Sequence, residues 1–527
     1  MAAPDRKLVQ PRCAKWLVPA VRALTADDIA YGTIRGGASG GASDDASVGA
    51  SNGASNGASV GASVGASVGA SNGASGGASN ASKIKESKAR FAREARMDAS
   101  DPHAAEFAKI AADIAAAKTP LDDIPADVYD ELARELDLYS GLKYKLRRQY
   151  GMPVVTNATL KIIEMLNELP AVPTAGPLAA RAGGIRAFCN AELPGAFLVG
   201  LNQYAKQLPA ALDWVASSYL PDRAAGVAAD ETILDDKYGL YAANPERWLM
   251  RPAGADASAD ASAELALAAS AELALAASAD SALAAARPRF DGDMTEPVGV
   301  ITAAGLVRER FVGPTGYGAT LYTSDAGIDV SADYNRQEES TAVLNFGQVL
   351  CGLLALAPGG TLITKQYTFA TPFSRQLLMI VASVFERTYI VKPRTSRPAN
   401  SEVYLFGEGF RGLPADVAAR LVMQLAAAKS ADEARSPLPP LLRHGVLAAP
   451  DADRALLRIS HSLAQVQIRY LREIVAVFDG CGRQPERARE VARAFAAGTA
   501  AKAQRSWLAA NPLVRLAPSE QIKAARL

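Results

Sequence analysis

Short apolar runs that alternate with amphipathic helical stretches are the feature that most constrains the fold of this chain. The strand-like runs lie at residues 187–190, 319–324, 361–365, 388–391 and 403–406. The helix-like stretches lie at residues 157–169, 338–356 and 371–386. Because strands separated by crossover helices form β-α-β units, this alternation predicts an α/β fold with a doubly wound, mainly parallel sheet.

Two low-complexity stretches divide the 527-residue chain. Residues 36–82 repeat an x-Gly-Ala-Ser unit, and small side chains of this kind cannot repay the entropy of ordering. Residues 254–286 contain the octet SAELALAA twice, which leaves both a surface helix and disorder open. The predicted organisation is an N-terminal segment (1–35), a linker (36–82), a helical region (83–150), an α/β domain (151–412) with an Ala-rich insertion (254–286), and a helical C-terminal region (413–527).

Charge and composition exclude several classes of protein. Lys plus Arg number 56 against 55 Asp plus Glu, so nucleic-acid binding would require a local basic patch. The four cysteines form no CxxC pair and only three histidines are present, which argues against disulfides, a zinc site and histidine-based catalysis. No apolar run approaches the roughly 20 residues of a membrane span. We therefore expect a soluble intracellular protein that has no membrane partner and does not read DNA sequence.

Charged residues occur at the ends of successive predicted strands. Asp325 follows one strand, Lys365 ends the next, and Glu402 precedes the last. A lysine buried beside carboxylates can become a tuned base, so these three side chains are candidates for a catalytic cluster. Lys161, on a predicted helix, is the weakest candidate on spacing alone. Unrelated surface charges remain an alternative for each residue.

Two turns are candidates for ligand binding. The turn after the first strand contains Pro194, Gly195 and Ala196, and such a turn lets the backbone approach a ligand at a helix N-terminus. The acidic turn at residues 290–295 contains Asp293. A carboxylate there could accept a hydrogen bond from a ribose or an amine, or it could cap the following helix. Both possibilities remain open.

Several short blocks in the second half of the chain form a specific pattern. They are residues 371–374 (TPFS), 385–387 (FER), 392–393 (KP) and 395–402 (TSRPANSE), preceded in order by 292–295 (GDMT) and 325–327 (DAG). This pattern resembles the mRNA cap ribose 2′-O-methyltransferases of the FtsJ/RrmJ superfamily. Residues 188–204 look most like the Adrift-type branch. Residues 155–250 are also similar to the FtsJ-like methyltransferases of African swine fever virus and other large DNA viruses.

The resemblance covers about residues 152–410 and implies a Rossmann-like class I S-adenosylmethionine-dependent methyltransferase with helical N- and C-terminal extensions. It implies a catalytic tetrad composed of Lys161, Asp325, Lys365 and Glu402. It further implies that S-adenosylmethionine binds near Pro194, Gly195, Ala196, Trp214 and Asp293. The sequence departs from the glycine-rich form of the cofactor loop at Leu193 and Ala196, and from the second turn at Ala326.

The implied reaction is methyl transfer to a cap-proximal ribose 2′-hydroxyl of mRNA, without a metal. Such a weak nucleophile needs a base, for which we select Lys365, with a pKa expected to be lowered by burial and by Lys161. Asp325 and Glu402 would orient it, and Lys161 would stabilise the developing alkoxide. Whether the first or the second transcribed nucleotide is methylated stays open.

The expected partners are a capped mRNA 5′ end and other capping or transcription proteins, in host cytoplasm, nucleus or virion if the chain is viral. Candidate RNA-binding residues are Lys143, Lys145, Arg147, Arg148, Arg394 and Arg397. Two alternatives remain. One is 2′-O-methylation of another RNA, such as ribosomal or transfer RNA, and the other is a catalytically silent methyltransferase-like module that binds RNA or forms part of a virion.

Overall fold

A seven-stranded sheet lies at the centre of the fold in the computed structural model. The structure describes residues 14–30, 103–169, 184–208, 210–220, 236–250, 290–313, 316–328, 336–443 and 450–525. The predicted linker and the predicted Ala-rich insertion therefore lie outside the described residues. None of the described helices is long and apolar enough to cross a membrane.

Each run predicted from the sequence falls within a strand, although the last three strands are about twice as long as the predicted runs. The strands are β1 (Ala14–Val18), β2 (Ile185–Asn190), β3 (Leu212–Ala216), β4 (Val312–Gly313), β5 (Gly316–Tyr317), β6 (Ala319–Ser324), β7 (Leu356–Gln366), β8 (Phe385–Lys392) and β9 (Val403–Phe410). The large sheet has the order β1-β8-β9-β7-β6-β2-β3, while β4 and β5 form a separate hairpin.

The sheet is mixed, which corrects the expectation of a mainly parallel one. β2 pairs in parallel with β3 and β6, and β6 pairs in parallel with β7. β9 lies antiparallel to both β7 and β8. The connection from β8 to β9 contains no helix, and without a crossover the chain can only return in the opposite direction. The α/β class itself is confirmed.

Helices cover both faces of this sheet and extend beyond it. They are α1 (Ala104–Lys118), α2 (Ala126–Glu135), α3 (Leu142–Tyr150), α4 (Asn157–Glu168), α5 (Ala196–Ala205), α6 (Leu240–Ala243), α7 (Pro297–Arg310), α8 (Gln337–Ser340), α9 (Ala342–Ala355), α10 (Pro372–Val384), α11 (Ala415–Glu433), α12 (Pro450–Gly480) and α13 (Pro485–Ala510). The predicted stretch 338–356 is thus divided into α8 and α9 at Thr341.

Both ends of the described chain pack into the same body as the sheet. β1 pairs antiparallel with β8, so a segment in which the sequence showed no motif supplies an edge strand. Trp507 of α13 is fully buried, and the Gln504 side chain donates to the Leu138 carbonyl. The C-terminal helices therefore form part of one continuous core with the sheet.

The strand order changes direction at β2, which has β3 on one side and β6 on the other. In an open α/β sheet, ligands bind in the crevice outside the carboxyl ends of the strands at such a switch point. Residues 190–196 follow β2, residues 217–219 follow β3 and Asp325 follows β6. The fold therefore predicts a ligand site at this edge of the sheet.

Candidate functional site

The four charged residues singled out in the sequence meet at the carboxyl edge of the sheet. Asp325 follows β6 and Lys365 lies near the end of the neighbouring parallel strand β7. Glu402 precedes β9, whose antiparallel direction places its first residues beside the last residues of β7. Lys161 reaches the same place from α4, where it is only 8% exposed.

The four side chains form two ion pairs. Lys161 Nζ lies 2.7 Å from Glu402 Oε1 and 2.8 Å from Oε2. Lys365 Nζ lies 3.6 Å from Asp325 Oδ1. The Tyr404 hydroxyl donates to Asp325 Oδ1 at 2.9 Å, and Lys161 Nζ lies 5.7 Å from the centre of the Tyr404 ring. Tyr404 thus links the two pairs into one electroneutral cluster.

Electrostatics within the cluster favour the charged forms of Glu402 and Lys365. Burial alone would raise the pKa of Glu402, but Lys161, Lys365 and Lys392 lower it to about 2. Burial likewise acts to lower the pKa of Lys365, but the opposing influence of Asp325, Tyr367 and Glu402 is larger and raises it. The expected lowering of the Lys365 pKa is therefore wrong, because Asp325, Tyr367 and Glu402 together outweigh the effect of burial.

The loop between β8 and β9 holds Glu402 in place. The Ser396 hydroxyl donates to Glu402 Oε1 at 2.9 Å. Lys392 Nζ donates to the Asn400 carbonyl, to Asn400 Oδ1 and to the Glu402 carbonyl, at 2.6–2.9 Å. Burial and the nearby Lys161 lower the pKa of Lys392 to about 7, although Glu402 opposes them. An ammonium with three acceptors fixes the loop in a single arrangement.

A second buried carboxylate, Glu164, joins this loop to the helix of Lys161. It accepts hydrogen bonds from the backbone and side chain of Arg394, from the backbone and hydroxyl of Thr395, and from the Trp507 indole. Burial raises its pKa in spite of these donors. Glu164 lies one helical turn after Lys161, so a single helix face anchors Lys161 and the loop that carries Glu402.

The predicted ligand turn has a conformation that requires glycine. Gly195 has φ +101° and begins α5, and a Cβ built there would clash with Leu240 Cδ2. Glu192 Oε1 accepts from the Leu198 backbone amide at 2.7 Å, so this helix N-terminus already holds a carboxylate. Burial raises the pKa of Glu192 to about 8, with a further contribution from Asp325.

Asp293 closes the turn that precedes α7, but the N-cap residue of that helix is Glu296, so the expectation that Asp293 caps the helix is wrong and its contact with a cofactor stays a prediction. Its Oδ1 accepts from the backbone and hydroxyl of Thr295 at 2.8 Å. The same turn touches the end of β3, because a Cβ on Gly292 (φ +92°) would clash with the Ser218 carbonyl. The carboxylate is therefore held at the rim of the crevice.

Trp214 lies two residues before the end of β3 and is 4% exposed. It packs beneath the Arg247 guanidinium, whose centre lies 5.1 Å from the ring. Its place beside a cofactor stays a prediction. Ser217 and Ser218 follow β3. The Ser218 hydroxyl accepts from the Leu193 amide and thereby joins the two turns.

The chemistry of the crevice fits S-adenosylmethionine better than a phosphate-bearing cofactor. A phosphate binds free backbone amides at a helix N-terminus, and Glu192 already occupies that position on α5. Asp325 adds to the rise in the pKa of Glu192, so both carboxyl groups act on this region. Once Glu192 is ionised, the region favours a cation, and the sulfonium of S-adenosylmethionine is one.

The candidate RNA-binding residues divide into two groups. Lys143, Arg147 and Arg397 lie near enough for their charges to interact, and they form a cluster with Arg134. Arg148 lies 6.0 Å from the ring of Tyr144, which is 64% exposed.

Two other candidates have partners within the protein. Arg394 pairs with Glu164 and Glu168 and its side chain is 11% exposed, which argues against the expected phosphate contact. Lys145 donates one hydrogen bond to Gln504 Oε1 at 2.7 Å. The contact of Lys145 with RNA stays a prediction.

Sequence reasoning missed several supporting residues. Tyr404 lies two residues after Glu402 on the same strand face, and Glu164 lies three residues after Lys161 on the same helix. Both spacings carry a signal, since side chains recur every second residue in a strand and every third or fourth in a helix. No sequence signal singles out Trp507, because its partner Glu164 lies 343 residues away.

Comparison with known proteins supplies independent information. Residues 284–410 match the family model described as FtsJ-like methyltransferase. This range contains Asp325, Lys365 and Glu402, but neither Lys161 nor the turn at residues 192–197.

The chain also has similar curated proteins. It is 34% identical over 280 residues to "Probable methyltransferase EP424R" of African swine fever virus (strain Badajoz 1971 Vero-adapted), an alignment that covers 53% of this chain and 54% of that protein. It is 35% identical over 121 residues to "Cap-specific mRNA (nucleoside-2'-O-)-methyltransferase 1" of Danio rerio, covering 23% of this chain and 14% of that protein. The chain spans about half the length of the viral relatives.

Proposed function

Because the chain carries an FtsJ-like methyltransferase domain, we propose that it transfers a methyl group from S-adenosylmethionine to a ribose 2′-hydroxyl near the capped 5′ end of mRNA. The observation that carries this proposal is the meeting of Lys161, Asp325, Lys365 and Glu402 in one buried, electroneutral cluster beside the switch-point crevice. The similarity to cap-specific mRNA methyltransferases supports the choice of RNA.

The cofactor supplies an electrophilic methyl group whose displacement leaves a neutral thioether. The chain's own residues must then bring the 2′-oxygen into line and accept its proton, which passes to Lys365 Nζ. General-base assistance of this kind contributes roughly 10²–10⁴-fold. Lys365 must be neutral to accept this proton. Asp325, which accepts a hydrogen bond from the Tyr404 hydroxyl, holds Lys365 Nζ in position.

Lys161 has a complementary role in this scheme. Its ammonium lies between both oxygens of Glu402 and the face of the Tyr404 ring. A cation fixed in a site shielded from water stabilises negative charge on the 2′-oxygen without reorganisation. Glu402 therefore holds Lys161 in position and needs no contact with substrate.

The phosphates of the RNA would contact the basic cluster around Lys143, Arg147 and Arg397. Arg397 is the residue after Ser396, whose hydroxyl contacts Glu402, so this cluster lies near the reacting group. The exposed Tyr144 beside Arg148 offers a surface on which a base could stack.

The direct test is transfer of labelled methyl groups onto capped RNA, followed by mapping of the modified nucleotide. Product at the first or second transcribed nucleotide is expected from the wild-type chain. Lys365→Ala should abolish transfer while leaving cofactor affinity within about twofold. Undiminished turnover in Lys365→Ala would refute the base assignment, and the absence of 2′-O-methyl product with bound cofactor would refute the function.

The RNA surface has its own test. Arg147→Glu/Arg148→Glu should weaken RNA binding and reduce the slope of log K against log salt by about 1.4, at roughly 0.7 per lost phosphate contact on a single strand. Cofactor binding should be unchanged. Arg458→Glu/Arg505→Glu, which changes the exposed charge equally, is the matched control. Equal RNA affinity in both variants at fixed salt would contradict the placement.

A further inference from the structure

The core-facing side of α12 bears two polar side chains among apolar ones. Ala464, Leu471 and Ile474 are buried on this side. Ser460 and Gln467 recur with them at the three- and four-residue spacing of one helix face, and Gln467 is only 3% exposed. A buried amide costs desolvation that its own hydrogen bonds must offset, whereas a leucine at the same position would need none. The contacts of Gln467 therefore have to account for its presence.

The amide of Gln467 is hydrogen-bonded to the loop that carries Glu402. Its Nε2 donates to the Ala399 carbonyl at 2.9 Å and to the Ser401 hydroxyl at 3.1 Å. The Ser401 hydroxyl in turn donates to Gln467 Oε1 at 3.3 Å. Ser401 immediately precedes Glu402 along the chain. The amide therefore holds the chain directly before the carboxylate that pairs with Lys161.

A second restraint acts on the same loop from the sheet. Lys392 of β8 donates to the side chain and to the carbonyl of Asn400. Ala399 and Ser401, which Gln467 contacts, lie on either side of Asn400. Three successive residues are therefore held, one by a strand and two by a helix of the C-terminal region. Restraints from two separate elements leave the loop less conformational freedom than either would leave alone.

The same face of α12 also contacts the segment that follows Lys365. The Ser460 hydroxyl donates to the Thr368 carbonyl at 3.2 Å, and Thr368 lies three residues after Lys365. Ser460 and Gln467 are seven residues apart, which is about two turns of a helix. One helix face thus contacts the segments next to two members of the catalytic cluster.

α12 is itself held against the helical region that precedes the sheet. Ile110 and Ile114 of α1 form an apolar cluster with Ala464, which lies between Ser460 and Gln467 on the helix face. Packing on this side fixes the helix axis, so the position of the Gln467 amide is set by the protein core. A contact from such a helix fixes a loop more firmly than a contact from another loop.

We propose that Gln467 is a positioning residue for methyl transfer, which holds the loop before Glu402 and, through Glu402, the ammonium of Lys161. This inference rests on the proposed function and extends it to a helix outside residues 284–410, the range that matches the family model. Because Gln467 is buried, it acts through the loop and not on the RNA. Misplacement by about 1 Å can cost roughly 10²-fold in rate, so loss of the amide should lower kcat and spare binding.

Replacement of the amide by an apolar side chain of similar size tests the inference. Gln467→Leu removes the hydrogen bonds to the loop, while Gln465→Leu makes the same change on the exposed face of α12. On capped RNA, Gln467→Leu should lower kcat about tenfold and leave KM for RNA and the cofactor Kd within about twofold of wild type. Gln465→Leu should change none of these values. A wild-type kcat in Gln467→Leu, or a raised KM with an unchanged kcat, would overturn the inference.

A second variant keeps the test decisive if Gln467→Leu lowers Tm. Ser401→Ala removes a hydroxyl that contacts Gln467 at a half-buried position, and loss of this hydrogen bond should lower kcat about threefold with KM unchanged. The double variant should be no slower than Gln467→Leu, because both changes break the same contact. A wild-type kcat in Ser401→Ala, or a double variant slowed by the product of the two single effects, would overturn the inference.

Failure of the proposed function would give a different result. A wild-type chain that binds cofactor and RNA but forms no 2′-O-methyl product would overturn the proposed function and the inference with it. A wild-type chain that methylates the RNA, together with a Gln467→Leu variant of equal kcat, would overturn the positioning role of Gln467 alone.

Discussion

Replacement of Lys161 by methionine should destabilise the protein as well as inactivate it. The substitution keeps the length of the side chain but removes the cation that both Glu402 oxygens contact. Glu402 is 6% exposed, so its carboxylate would remain buried without its nearest partner. Removal of one member of a buried ion pair typically costs about 3–5 kcal/mol.

The size of the effect follows from Glu402. Its pKa falls from 4.5 to about 2 under the combined effect of burial and three lysines, a shift of about 3.5 kcal/mol at about 1.4 kcal/mol per pH unit, so a loss of about 3 kcal/mol is the order of magnitude expected when the largest contributor is removed. Lys161 is the strongest of the three lysines that lower it. With an unfolding entropy of about 2 cal/mol/K per residue over the roughly 350 described residues, a loss of 3 kcal/mol lowers Tm by about 4 °C.

The pH dependence has a definite sign. A carboxyl group whose pKa is depressed by folding contributes stability above its unfolded pKa, and that stability is lost as the pH falls through the folded value. The Tm difference between wild type and Lys161→Met should therefore be complete at pH 7 and shrink as the pH falls from about 5 towards 2.

Thermal unfolding of five proteins measures the effect: wild type, Lys161→Met, Glu402→Gln, the double variant and a control. Lys161→Met/Glu402→Gln should recover at least half of the Tm lost in Lys161→Met, because no unpaired carboxylate remains. Lys109→Met, at an exposed position of α1, is the control for loss of a lysine. A double variant as unstable as the sum of its single variants, or a Tm difference that is constant with pH, would refute the argument.

Three further predictions concern the groups around the cluster. The affinity for S-adenosylmethionine should increase as the pH rises through about 8, because ionised Glu192 favours a cation, and calorimetry on Glu192→Gln should show no such increase. Glu164→Gln should lower kcat at least tenfold with little change in KM, because Glu164 holds the loop that carries Glu402. Trp507→Phe removes only one of the five hydrogen bonds that Glu164 accepts and should have a smaller effect. An unchanged kcat in Glu164→Gln would count against this positioning role. Gly195→Ala should weaken cofactor binding at least tenfold, because the added Cβ would clash with the Leu240 side chain. Gly412→Ala, also at positive φ but with no neighbour within 4 Å, should leave cofactor binding unchanged. Equal cofactor affinities of the two variants would contradict this packing argument.

Much of the site could be predicted from the sequence because parallel strands share an edge. Asp325 and Lys365 follow runs that become β6 and β7, and the carboxyl ends of adjacent parallel strands must meet. Lys161 could be assigned only by resemblance, since no periodicity relates it to Glu402, 241 residues away. The edge strand β1 was missed because its five residues carry no turn signal and their pairing partner lies near residue 390.

The direction of the Lys365 pKa could not be obtained from residue types. Burial predicts a lower value and neighbouring carboxylates a higher one, so the outcome depends on distances. Asp325, whose Oδ1 lies 3.6 Å from Lys365 Nζ, acts together with Tyr367 and Glu402 to raise the pKa of Lys365. The register of β7 and β9 sets Tyr404 opposite Lys365, and the spacing of Tyr404 from Glu402 does not by itself reveal that pairing.

The raised pKa of Lys365 should be sensitive to the charge of the bound cofactor. A positive charge held beside Asp325 competes for that carboxylate and repels a proton on Lys365. At an effective dielectric constant of about 20, a unit charge 6–10 Å away lowers a lysine pKa by about 1–2 pH units. S-adenosylmethionine carries that sulfonium charge and S-adenosylhomocysteine does not, so competitive acetylation of lysines, read by mass spectrometry across pH, should give Lys365 a lower pKa with the first ligand than with the second. Lys109, which is exposed and distant in sequence from the cluster, should titrate identically with both, and an identical Lys365 pKa would show that proton removal does not depend on the charge of the cofactor.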